Sequence, residues 1–99
     1  MNTTEKNKLL NIVFKLNNYR EFTEYSPFKL NSLTIEALTI VKHVNKDSTC
    51  YADLKKANQI YEEFRFIPSN KMTQQMINNY SMDIIRSLQY SIQEFADSY

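Results

Sequence analysis

His43, Asp47 and Cys50 are the nearest thing to a catalytic set in this sequence. A thiolate activated by a histidine that a carboxylate holds is a known nucleophile. His43 and Asp47 are four residues apart, so one helical turn could join them. Cys50 then falls on an apolar seam, where a thiol packs as a small hydrophobe. Nothing nearby supplies the backbone donors that stabilise an oxyanion. Glu62 and Glu63 are sequence neighbours, so on a helix they point apart rather than into one cleft. General acid–base work on a glycosidic bond needs two carboxyls facing each other. Lys55 and Lys56 follow the same logic, and both pairs read as solvated faces. The expectation is that the chain is not an enzyme.

Metal and phosphate chemistry fare no better. One His and one Cys are too few for a structural zinc site. No spaced run of Asp and Glu resembles a calcium loop. The chain has no glycine, against an average usage of about 7%. Phosphate-cradling loops, dinucleotide fingerprints and nucleophile elbows all require glycine. No cofactor is therefore expected. The single cysteine rules out an intramolecular disulfide.

Charge offers little for nucleic acid. There are 12 basic and 11 acidic residues, for a net charge of +1. Residues 1–50 hold seven Lys and Arg against five acids, and residues 51–99 hold five against six. A nucleic-acid footprint needs a clustered basic face. "MTQQMINNYSMDIIRSLQ" has the outline of a helix-turn-helix with its junction at Ser81. Its second half offers only Arg86 and Gln89 as base readers, so DNA binding is disfavoured.

The elements that would position any site are helical. A hydrophobic fraction of 42% with seven Tyr and six Phe argues for a folded chain. Without glycine, helices can end on Asn, which stands at Asn17–Asn18, Asn45 and Asn70. The first helix is expected over Thr4–Asn18, capped by Thr3 or Thr4, with Leu9, Ile12, Val13 and Leu16 on one face. A second should run from Pro27 to Asn45, with Ser26 as its cap. A break near Asn31–Ser32 is an alternative, and the β-branched "LTIVKHV" leaves residues 38–44 open to strand. A third opens at Asp47 or Ser48 and carries Cys50, Leu54, Ala57, Tyr61 and Phe64 as its seam. Pro68 ends it. A long fourth, capped by Ser69 or Asn70, would reach Ala96. The expected fold is all-α, a single domain over residues 1–99, a small antiparallel bundle of about four helices.

Two groups of residues then invite a partner. Tyr19, Phe22, Tyr25 and Phe28 recur at spacing three in the first connector, with Arg20 among them. Arg65 and Phe66 stand in the third. Both connectors follow odd-numbered helices, so an antiparallel bundle brings them to one end. They either cap the core or form an aromatic binding surface, since Tyr, Phe and Arg favour interfaces. The second group is the stripe Met72, Met76, Tyr80, Ile84, Leu88, Ile92 and Phe95. It would serve as the central helix of the bundle or as a homodimer seam. Ile77, Ile85 and Tyr90 widen its apolar arc. Three shorter helices can hardly cover both arcs of a helix of about 40 Å, which favours self-association through Met76, Tyr80, Ile84, Leu88, Ile92 and Phe95.

In length and expected helix number the chain resembles bacteriocin immunity proteins. The likeness covers outline alone, with no shared motif, and a fold does not assign a function. The expected function is binding of a protein partner, by a small helical inhibitor, immunity or counter-defence factor. Alternatives are a nucleotide-binding helical oligomer and a DNA-binding regulator. The Asn-, Lys-, Ile- and Tyr-rich composition suggests a phage, plasmid or bacterial origin. No apolar run is long enough for a membrane span, and no signal peptide is apparent, so a cytoplasmic location is expected.

Overall fold

The computed structural model describes residues 1–99. Four helices account for most of the chain: α1 (Thr3–Asn17), α2 (Ser26–Asn45), α3 (Thr49–Arg65) and α4 (Gln74–Asp97). There is no strand, so residues 38–44 are helical, and α2 runs unbroken through Asn31 and Ser32. No helix is long and apolar enough to cross a membrane.

The helix starts are set by side chains that satisfy free backbone N–H groups. Asn2, rather than Thr3 or Thr4, caps α1: its side chain accepts from the Glu5 N–H at 2.8 Å, and Glu5 accepts from the Asn2 N–H at 3.2 Å. This reciprocal capping box satisfies two otherwise orphaned donors. Ser48 caps α3 by accepting from the Tyr51 N–H at 3.1 Å. Thr73 caps α4 through the Met76 N–H at 3.1 Å, displacing the expected Ser69 and Asn70, which lie in a short 3-10 turn. Ser26 is not the cap of α2 but its first residue; Pro27 follows it. Ser26 accepts instead from the Thr23 N–H at 2.8 Å, closing the turn that leads into α2.

No residue has positive φ. The asparagines at helix ends therefore do not act through left-handed backbone. Asn18 holds φ at −103° and donates its side-chain N–H to the Phe14 carbonyl at 2.8 Å. The Asn18 backbone N–H reaches the same carbonyl at 3.1 Å, so backbone and side chain together close the helix end without left-handed backbone.

The helices form a flattened bundle of 45 × 25 × 16 Å. α2 and α4 each pack against all three other helices, whereas α1 and α3 do not touch each other. The central pair is α2–α4, with α1 and α3 flanking it. Phe64 meets Tyr80 at 5.4 Å, and Asp53 meets Ser91 at 2.6 Å. Ascending α3 is thus matched by descending α4. Leu9, Leu16, Leu30, Val41, Leu54, Ile84, Leu88 and Ile92 form the sealed centre, each at most 1% exposed.

That burial changes the role of the α4 stripe. Ile84, Leu88, Ile92 and Phe95 lie in the chain's own core, at 0, 0, 0 and 6% exposure. They offer no seam to a second copy. Met76 and Tyr80 are only half-buried, while Ile77 and Ser81 take the core positions above Ile84. The cause is helical drift: each step of four residues rotates about 40° past a full turn. A stripe stepping 76–80–84–88–92 therefore winds off any fixed face. Three helices do cover both arcs, since Ile77 and Ile85 are buried at 7 and 4%. Tyr90 does not join them and stays 75% exposed.

Candidate functional site

The expected convergence of the first and third connectors is present. Gln74, in the first turn of α4, donates its side-chain N–H to the Phe22 carbonyl at 3.0 Å and to Asn78 at 2.8 Å. Between the two connectors lies a cleft of about 270 Å³, bounded by Glu24, Tyr25, Phe64, Ile67, Ser69 and Met72. Its size and mostly apolar lining suit one or two apolar side chains rather than a larger ligand.

The aromatic candidates divide into anchors and exposed rings. Tyr19 and Phe22 stack at 5.7 Å with planes 20° apart, both half-buried against the edge of the core. They fix the connector. Arg20 donates to the Asn17 carbonyl at 2.7 Å, and so satisfies the α1 C-terminus. Tyr25, Phe28 and Phe66 remain open, at 63, 59 and 73% exposure. Phe28 leans on Tyr61, ring centres 6.4 Å apart. Arg65 pairs with Glu62 at 3.1 Å and lies over the Phe66 ring at 4.8 Å. A cation over a ring limits the motion of both while leaving the outer face of the phenyl free.

The helix-turn-helix outline is not formed, because α4 continues straight through Ser81. The His43–Asp47–Cys50 set is not assembled either. His43 and Asp47 are both exposed, no hydrogen bond or ion pair joins them, and the Asp47 N–H instead donates to Asn45 at 3.0 Å. Cys50 is buried at 4% exposure. Burial pushes its thiol above the usual value, a hydrogen-bonding contact with Ser91 pulls it back in part, and the negative Asp53 raises it again. A thiol held protonated is a poor nucleophile. No three His, Cys, Asp or Glu side chains converge as a metal site would require.

A second surface escaped the sequence reading. An open groove of about 800 Å³ runs between α3 and α4. Its floor includes Cys50 and the bond from the Ser91 hydroxyl to Asp53. Its walls carry Asp53, Lys56, Asp83, Arg86, Tyr90 and Glu94. The signal for it was present in the spacing of Arg86, Tyr90 and Glu94 at four and four, on the side of α4 away from its apolar stripe.

Comparison with protein-family models, curated proteins and solved structures finds no match to this chain.

Proposed function

We propose that the chain is a non-enzymatic interaction protein, a small helical inhibitor, immunity or counter-defence factor from a phage or other mobile element. It acts in the cytoplasm by occupying a protein partner with the aromatic end of the bundle. The observation that carries this reading is the exposure of Tyr25, Phe28 and Phe66 at the end of the bundle where the first and third connectors meet, with Tyr25 lining an apolar cleft there. Large rings left in water at one end of a small domain are characteristic of a contact surface. Tyr, Phe and Arg are favoured there because rigid rings bury much area for little lost freedom. The partner places an apolar side chain in the cleft, while Glu24 in its lining sets polar register.

The decisive variant is Tyr25→Ala combined with Phe66→Ala. Both side chains are exposed, so the fold should melt as the parent does. Capture of the partner by tagged protein from host lysate should be lost. Undiminished capture by the folded double variant would place the contact elsewhere. Phe22 is unsuitable for this test, because its ring anchors the connector against the core edge.

A further inference from the structure

The groove between α3 and α4 has a charge order that complements itself. Arg86, Tyr90 and Glu94 are all exposed on α4, one turn apart. α3 adds Asp53 and Lys56 across the groove. The protein's single ion pair is Arg65–Glu62, so none of these four charges is neutralised within the chain. The Ser91–Asp53 bond fixes how the two helices align. Along the groove the order is then Glu94, Asp53, Lys56, Arg86: two negative charges followed by two positive. Glu94 and Arg86 lie about 12 Å apart along the helix and Asp53 and Lys56 about 4.5 Å apart, from a rise of 1.5 Å per residue. Both pairs are centred close to Tyr90. Asp83 stands one turn beyond Arg86, outside this order.

A two-fold axis through the centre exchanges the halves of such a series. Each negative charge of these four then faces a positive one, which is the self-complementarity an isologous interface requires. We propose that this groove is the interface of a homodimer in which two α4 helices cross with Tyr90 near the axis. Arg86 faces Glu94 of the second copy, and Lys56 faces Asp53 of the second copy. The two Tyr90 rings meet at the centre, where an aromatic contributes most to an interface. This seam is the outer face of α4. It leaves the buried stripe intact and the aromatic end of the bundle free.

Sedimentation equilibrium of the full chain tests this arrangement, with far-UV circular dichroism confirming that each variant folds. The parent should dimerise, more weakly as salt screens the pairs. R86E and E94R each set like charges opposite one another in both symmetry-related pairs. Each should weaken the dimer by about tenfold or more, as facing like charges do. The double exchange R86E/E94R restores opposite charges and should restore the dimer. A parent that stays monomeric through the millimolar range overturns the proposal. So does a dimer indifferent to R86E, or a double exchange that fails to recover what the single variants lose.

Discussion

Cys50, Ser91 and Asp53 share one small region between α3 and α4, and their chemistry is that of a packed junction. The raised thiol sets a direction for the pH dependence of stability. An acid whose folded pKa lies above its unfolded value leaves stability whole below that value. Stability then falls as pH rises past the usual 9.0, because the unfolded chain loses its proton first. Replacing Cys50 by Ala should flatten the alkaline limb of a pH–stability curve measured by urea unfolding. An unchanged limb would mean that the thiol is not held protonated. Near neutral pH, the folded protein should label with a thiol reagent far more slowly than the unfolded chain. The Ser91–Asp53 bond, 2.6 Å long, ties α3 to α4 beside the Cys50 thiol. Ser91→Ala should cost about 1.5–3 kcal/mol of unfolding free energy, the net worth of a hydrogen bond to a charged group. A loss within error would show that water replaces it.

At the scale of the helices, Thr73 makes the sharpest test. Thr73→Ala removes the acceptor for the Met76 N–H and should destabilise by about 1 kcal/mol. For a domain of this size that is a fall of about 4–8 °C in melting temperature. Asn70→Ala, at one of the two positions expected from the sequence, should stay within about 0.5 kcal/mol of the parent. Equal losses at both positions would place the start of α4 wrongly. The contrast shows what a sequence makes legible. Four helices and their order were readable, because the period of Leu9–Leu16, Leu30–Val41 and Cys50–Phe64 is a repeating signal. The caps were less so: "PSNKMT" offers three cap-competent side chains, and the turn geometry selects one. Repeated steps of four in the last helix exaggerated its apolar stripe. Drift moved Met76 and Tyr80 off the core and brought Ile77 and Ser81 onto it. The meeting of two aromatic connectors followed from helix parity. The split between anchoring Tyr19 and Phe22 and open Tyr25, Phe28 and Phe66 depends on tertiary packing, which the spacing of three does not encode.

At the scale of the molecule, stability rests on the core that α2 and α4, each packed against all three other helices, hold together. Leu88 is fully buried at its middle. Leu88→Ala should cost about 2–5 kcal/mol, a large share of the roughly 5–15 kcal/mol that holds a domain together. Thermal or urea unfolding measures it, and a loss under 1 kcal/mol, about the scale of a surface change, would contradict a sealed centre. Amide hydrogen exchange should be slowest from Ile84 to Ile92 and fastest between Asn18 and Tyr25, where few backbone bonds form. The central pair also bears on how the protein is made. Chains emerge from the ribosome N-terminus first, so of the four helices α4 appears last. Until it does, Leu9, Ile12 and Leu30 lack the surface that covers them. The bundle therefore closes only after Gln74–Asp97 has left the exit tunnel. A chain stalled before Gln74 is not a smaller bundle. It is three helices with an open apolar face, the form that chaperones hold and proteases remove.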